Sequence, residues 1–338
     1  MHILVTGATG RVGRNLIPAL LEKEHKIIAL VIPGDRKRNI IEKMGVEVIE
    51  GKLEDNLIFP SLLKGVEAVY HLAGLLPAGH TNDQIFEANI RGTYNILEAI
   101  AVNNIKLQRF IFASSDEVYA SLKPKYLPLD EYHPCYPYSV YGLSKVIGEK
   151  FCNLYYRENG VPVVNARFTY TIESIELLNA NSAPGSLFYI SGRLNTLKQI
   201  QNPLPEILEE IKIFESLYRE NGDCLFIAYK KDGSLNEMPI CDVRDLVQGL
   251  ILSLEDDKAV GEAIGFGPPT SFTFDNMVKY LSKKVKIPWV SVRLPIDLPF
   301  NFSTNISKAK ILLGYKPVWD IYKMIDDAIL KKKGGTKS

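Results

Sequence analysis

The stretch TGATGRVG (6–13) follows an apolar run, HILVT (2–6), and opens a segment with helical periodicity, RNLIPALLEKE (14–24). Gly7, Gly10 and Gly13 fall three residues apart. In a strand–loop–helix setting such glycines permit a tight turn, close approach of backbone to a pyrophosphate, and close packing of helix on strand. The helix then aims its first N–H groups at that phosphate. This reading predicts a dinucleotide site at the end of the first strand, and with it an α/β fold.

Further apolar runs recur along the first half: KIIALVI (26–32), VEVIEG (46–51), AVYHLA (68–73), RFIFAS (109–114) and VPVVNAR (161–167). Amphipathic segments such as 85–104 lie between them. Strands that are apolar nearly throughout, alternating with helices, predict an α/β, Rossmann-type doubly wound parallel sheet covered on both faces. After about residue 168 this regularity fails. Asn, Ser, Pro and Gly clusters make 172–205 read more as loop than as element, while 205–220, 243–255 and 273–284 read as helices. The expected organisation is a dinucleotide-binding domain over 1–168, which includes the catalytic helix. A smaller C-terminal substrate-binding cap over 169–330 interleaves with returning Rossmann elements, and 331–338 form a solvated tail.

Forty basic and thirty-nine acidic residues leave a formal charge of +1, which gives no electrostatic reason to expect nucleic acid or a membrane surface as partner. The cysteines 135, 152, 224 and 241 form no CxxC pair, and the five histidines have no metal-ligand spacing. Neither a metal site nor a disulfide framework is expected, and a reducing cytoplasm fits best. No apolar run approaches the roughly 20 residues that span a bilayer.

An acid about 20 residues beyond the glycines would mark an NAD site. Here the second strand ends in Val31-Ile32 and runs into PGDRKR (33–38), where Arg36, Lys37 and Arg38 offer partners for a 2′-phosphate or simply an exposed basic loop. NAD and NADP both stay open. In YGLSK, Tyr141 and Lys145 stand four apart at the start of a long helical segment (139–158), on one helical face. Lowering a tyrosine pKa from about 10 by three units takes roughly 4 kcal/mol of preferential phenolate stabilisation. A neighbouring Lys⁺ and a positively charged nicotinamide can supply that. In SSDEVYA (114–120), two hydroxyls and the carboxylates Asp116 and Glu117 stand where a buried strand ends, the usual place for a ligand in α/β proteins.

With these motifs the chain resembles the extended short-chain dehydrogenase/reductase family of NAD-dependent epimerases and dehydratases. The resemblance covers roughly residues 1 to 330 and rests on TGATGRVG, HLAG (71–74), NIRGTYNILEA (89–99), ASSDEVY (113–119), YGLSK, DVRDL (242–246) and SKAKILLGYKP (307–317). It implies that Ser115 is the active-site hydroxyl, Tyr141 the general base or acid, and Lys145 its electrostatic partner and a ribose ligand. Asn89 matches the family's helix asparagine. Gly7, Thr9, Gly10, Arg11 and Val12, with Gly13, would line the pyrophosphate, and Leu72, Ala73 and Gly74 the adenosine. His71 reads as a structural strand-end residue. In the family's 4,6-dehydratases a motif similar to SDEVY supplies Asp as acid and Glu as base, whereas in epimerases these positions are spectators.

Three positions depart from the family pattern. Tyr170 replaces a diphosphate-contacting Asn, Met238 or a neighbour stands for a substrate-gripping Arg, and Gly51-Lys52-Leu53 lacks an acidic adenine contact. Arg193 and Arg219 are candidate replacements. The leading expectation is an NAD(P)-dependent epimerase or dehydratase of a sugar, nucleotide-linked, working as a homodimer. The alternative is an NADP-dependent reductase or dehydrogenase of a non-nucleotide alcohol or carbonyl, similar to dihydroflavonol reductases. A third is a cofactor sensor without chemistry.

Overall fold

A computed structural model describes residues 1–119, 123–200, 203–295 and 301–334. Six strands appear where the apolar runs place them: β1 (His2–Thr6), β2 (Lys26–Val31), β3 (Glu47–Glu50), β4 (Ala68–His71), β5 (Arg109–Ser115) and β6 (Val163–Phe168). With Ala263–Phe266 they form a seven-stranded sheet in the order Ala263–Phe266, β6, β5, β4, β1, β2, β3, and every pairing is parallel. The order reverses between β1 and β4, so the doubly wound architecture has its switch point beside the glycine loop.

The sheet belongs to a unit made from Met1–Tyr170, Val243–Gly267 and Asn305–Pro317. All seven residues of β5 are buried, because helices cover both of its faces. On one face, Phe110 and Phe112 join Ile96, Leu97, Ile100 and Cys152 in a core cluster. These helix residues come from α2 (Gly92–Val102) and α3 (Val140–Asn159). On the other face, α1 (Arg11–Glu22) packs against the helix Val243–Glu255. Tyr70 ties that helix to β4 by donating to the Leu250 carbonyl at 3.1 Å.

The segment expected as one helix over 85–104 is interrupted: a π-helical turn, Phe86–Arg91, leads into α2. Wide turns of this kind are frequent at functional sites, and this one carries Asn89.

The second unit comprises Thr171–Asp242, Pro268–Thr304 and Val318–Ser338. Leu225–Tyr229 pairs in parallel with Trp289–Arg293, and its core includes the ring pairs Phe214–Phe226 and Phe188–Phe274. Helices fall at Pro205–Asn221 and Phe274–Val285. The stretch read as loop also contains a helix, Ile190–Lys198. Its polar composition hides it, but Ile190, Leu194 and Leu197 share one buried face at helical spacing. Residues 331–334 do not begin a tail: the helix Ile321–Gly334 runs through them, with Lys331, Lys332 and Lys333 in its last turn where the helix dipole favours cations. Positions 335–338 lie outside the described residues.

Candidate active site

The glycine loop sits on the C-terminal side of β1. Gly7 has φ +69°, and a Cβ there would stand 2.7 Å from the Ala73 nitrogen. A Cβ on Gly13 would stand 2.5 Å from the Gly7 carbonyl oxygen, so Gly13 is a packing glycine beneath the loop. Gly10 caps α1 without a side chain, and the first turn of α1 carries no acid, which leaves its N–H groups suited to an anion. Thr6, Gly7, Thr9 and Gly10 line a cleft of about 300 Å³, together with residues 30–32, 51–54 and 72–75 at the ends of β2, β3 and β4. Ala88 completes the lining. The cleft and its glycine floor suit a dinucleotide. Arg11, Val12 and Gly13 stand behind the lining, in the first turn of α1.

The loop after β2 folds differently from a phosphate clamp. Asp35, not a base, turns toward the glycine loop: Thr9 Oγ1 donates to Asp35 Oδ2 at 2.6 Å, and the Lys37 N–H donates to Oδ1 at 2.8 Å. The Thr9 bond in particular holds this carboxyl below the usual range. Arg38 is occupied by Glu42 and Glu50, and Arg36 is exposed and outside the cleft lining. Sequence reasoning missed Asp35 because it stands inside the loop, beyond the strand end where such an acid is sought.

β5 and α3 build the chemical end. Ser139 caps α3 by accepting from the Gly142 N–H at 2.9 Å. The capped helix presents Tyr141 one turn before Lys145. Lys145 is buried; its Nζ donates to the Ala113 carbonyl at 2.7 Å and lies 5.5 Å from the Tyr141 ring centroid. Burial lowers the Lys145 pKa to about 8. Ser115 is hydrogen-bonded to the Tyr141 hydroxyl. Burial, then Glu117, pushes the phenol pKa upward, while the Ser115 bond opposes this. The phenol is therefore held protonated until positive charge arrives beside it.

Asp116 and Glu117 follow Ser115 in a short 3-10 turn. Burial and the adjacent Glu117 raise Asp116 to about 7, against the Ser115 bond and a backbone bond from Tyr170. Burial also raises Glu117, whose Oε2 accepts from Ser139 Oγ at 2.8 Å. Ser115, Asp116, Glu117, Tyr141 and Lys145 thus gather at one place. Asn89 reaches the same place: Nδ2 donates to Ser144 Oγ at 3.0 Å, and a Cβ on Gly74 would lie 3.3 Å from Asn89 Oδ1 and 3.2 Å from Lys145 Nζ.

Behind the site, Glu149 stands one turn past Lys145. It accepts from Ser114 Oγ at 2.6 Å and from Arg167 Nε and Nη2 at 2.8 and 2.7 Å. In the second unit, Arg193 is paired with Glu210 at 2.7 Å, and Arg219 Nε turns back to the Glu215 carbonyl of its own helix. Arg193 is therefore engaged by a buried carboxylate, whereas Arg219 is exposed on the surface of its helix. Among the described residues no cluster of His, Cys, Asp and Glu could hold a metal ion, and no helix is long and apolar enough to cross a membrane.

The parallel sheet, glycine cradle and Ser–Tyr–Lys constellation define a dinucleotide-dependent enzyme class. Residues 3–174 match the model of the NAD dependent epimerase/dehydratase family, and the chain belongs to that family. It is 33% identical over 333 residues to an uncharacterized UDP-glucose epimerase of Bacillus subtilis, an alignment covering 94% of this chain and 93% of that protein. A putative UDP-glucose 4-epimerase of Methanocaldococcus jannaschii is 34% identical over 175 residues, covering 49% of this chain and 55% of the relative. Among solved structures, a short-chain dehydrogenase/reductase superfamily protein from Agrobacterium tumefaciens with bound NAD superposes with a TM-score of 0.87 at 28% identity, covering 99% of this chain and 98% of that one.

Proposed function

We propose that this chain is an NAD-dependent epimerase of a nucleotide-linked sugar, with the first unit holding the cofactor and the second serving as the substrate-binding cap. The observation that carries the reading is Tyr141, hydrogen-bonded to Ser115 and beside Lys145, next to the glycine cleft. When bound, NAD supplies a hydride acceptor and returns the hydride later. Tyr141 Oη takes the proton of the sugar hydroxyl as the carbonyl forms and gives it back on reduction. Ser115 orients that hydroxyl, and Lys145 stabilises the phenolate. Gly7, Gly10 and Thr9 cradle the pyrophosphate, residues 72–74 border the adenosine side, and Asn89 and Lys145 hold the ribose end. Asp35 is the acceptor for the adenosine ribose hydroxyls, which favours NAD over NADP. Names of the relatives support the substrate class.

A second reading adds elimination of water. Burial and the adjacent Glu117 push Asp116 up to about 7, so it exchanges a proton near neutral pH, and burial raises Glu117 beside it. Two adjacent carboxyls of this kind suit the acid and base roles in dehydration of a keto sugar.

A homodimer is part of the proposal. Tyr94 and Val102 on α2, and Leu143 and Leu154 on α3, are exposed apolar residues that a second copy would cover. Light scattering on the protein and on Leu154→Arg tests it, with a monomer expected only for the variant. Four free cysteines fit a reducing cytoplasm.

The deciding experiment incubates the protein and NAD with UDP-glucose, UDP-galactose and UDP-glucuronate and follows the sugars by NMR. Interconversion at C4 supports the epimerase, and a 4-keto-6-deoxy product supports the elimination. Net NADH formation from a free aldose or uronic acid, with no change in any UDP-sugar, would overturn both.

A further inference from the structure

His71 ends β4 with no exposed surface. Its ring lies between two threonines: Nδ1 is 2.9 Å from Thr6 Oγ1, and Nε2 is 3.1 Å from Thr93 Oγ1. On the Thr93 side the direction of each bond is fixed by elimination. The Asn89 carbonyl can only accept, so the Thr93 hydroxyl, 2.6 Å away, donates to it and must accept from His71. Nε2 therefore carries the imidazole proton. At the other end, the Ala73 N–H can only donate, and it reaches Thr6 Oγ1 at 3.2 Å. The ring is buried and held neutral, so with the proton on Nε2 its Nδ1 accepts, and the Thr6 hydroxyl donates to it.

The relay continues past Asn89. Its side-chain amide holds the Leu75 backbone from both sides, accepting from the N–H at 2.7 Å and donating to the carbonyl at 3.0 Å. Asn89 Nδ2 also donates to Ser144 Oγ, whose hydroxyl donates to the Tyr141 carbonyl at 2.7 Å. Two sets of bonds thus meet at Asn89: one runs from Thr6, in the cofactor cleft, to the Asn89 backbone carbonyl, and the other from the Asn89 side chain through Ser144 to the backbone of Tyr141. Asn89 stands in the π-helical turn Phe86–Arg91, and the Thr93 hydroxyl one turn on holds its carbonyl.

We propose that Thr6, His71 and Thr93 are positioning residues, which set Asn89 and, through Ser144, the height of Tyr141 against the cofactor cleft. The inference rests on the reading of Tyr141 as the proton-transferring group. Burial keeps the imidazole neutral and the Thr93 bond keeps its proton on Nε2, so His71 donates at Nε2, accepts at Nδ1 and holds one tautomer.

The test compares Thr93→Val, which keeps shape and loses the hydroxyl, with Thr93→Ser, which keeps the hydroxyl. On the sugar the protein turns over, Thr93→Val is expected to lower kcat by about 10-fold or more with KM little changed. Thr93→Ser is expected to retain most of the rate. A purely structural role predicts equal kcat per folded molecule in both variants, and that result would overturn the proposal.

Two readouts need no substrate, so failure of the epimerase reading is distinguishable from failure of this one. In ¹⁵N-imidazole spectra, His71 is expected as the Nε2–H tautomer with no titration across the range where free histidine titrates, about pH 5 to 8. A proton on Nδ1, or a midpoint in that range, would overturn it. Phenolate absorbance of the NAD-bound protein, taken as the difference from Tyr141→Phe, is expected to titrate at a shifted pH in Thr93→Val and unshifted in Thr93→Ser. Identical titrations would overturn it too. If Thr93→Val does not fold, Thr93→Ala against Thr93→Ser makes the same comparison at the same position.

Discussion

Asp35 accepts a hydrogen bond from the hydroxyl of Thr9, a residue of the cleft lining, and so joins the loop after β2 to the glycine loop through an acid rather than a base. Replacing that carboxylate removes the acceptor for a ribose diol and the charge that repels a 2′-phosphate. Charge-assisted hydrogen bonds contribute about 1.5–3 kcal/mol, so Asp35→Ser is expected to weaken NAD binding by roughly 10- to 100-fold. NADP binding is expected to improve. Fluorescence titration of both cofactors checks this; unchanged preference would return the choice to Arg36 and its basic neighbours.

Gly7→Ala introduces a Cβ 2.7 Å from the Ala73 nitrogen, on a residue with φ +69°. The left-handed backbone alone costs about 1–2 kcal/mol for a residue with a side chain. The clash is with backbone and has no easy relief. Lowered melting temperature together with loss of NAD binding is expected, by calorimetry on the same preparation.

Tyr141→Phe removes the proton-transferring oxygen and leaves the cleft intact. Turnover is expected to fall by at least about 100-fold, with NAD affinity nearly unchanged. Glu117→Gln separates the two chemistries: an epimerase keeps its rate, while an eliminating enzyme accumulates the keto sugar, visible by mass spectrometry.

His71 makes the protein acid-sensitive in a defined window. Burial, and secondarily Lys145, lower its pKa to about 3 in the folded protein, against about 6.5 in the unfolded chain. Between these values the unfolded chain binds a proton that the folded protein refuses, so stability is full above about pH 6.5 and declines as pH falls. From pH 7 to 5 the loss from this residue is about 2 kcal/mol. Urea unfolding at both pH values measures it, and His71→Asn is expected to flatten the dependence.

The Glu149–Arg167 pair is buried on both sides. Removing one partner strands a charge, so Glu149→Gln or Arg167→Met is expected to cost about 3–5 kcal/mol. The double variant is expected to recover part of that loss, and denaturant melts of the three proteins check it.

The motifs TGATGRVG, SSDEVYA and YGLSK point in sequence to the groups that the fold gathers, because each is tied to a strand end or helix start that the apolar pattern reveals. The site's electrostatics are less legible. Asp35 stands near the expected distance from the glycines but past the end of β2, inside a basic loop, and only the folded loop brings it to Thr9. Arg193 reads as a free cation until Glu210, seventeen positions on, is seen to face it. The helix Ile190–Lys198 is hidden by its own polar side chains, and the π-helical turn leaves no mark in the periodicity on either side. Tertiary partners decide all four, and neither local propensity nor spacing contains them.

The first unit is drawn from three separated stretches of chain, the last of them Asn305–Pro317. During synthesis the glycine loop and its first six strands leave the ribosome long before Ala263–Phe266 can join β6 at the edge of the sheet. Until then β6 presents an unpaired parallel edge, a surface prone to pairing with other nascent chains. Ser115, Tyr141 and Lys145 are made early, whereas the strand that closes the sheet around them is made late. The β6 edge is therefore open from the time the Ser115, Tyr141 and Lys145 segment is made until Ala263–Phe266 arrives.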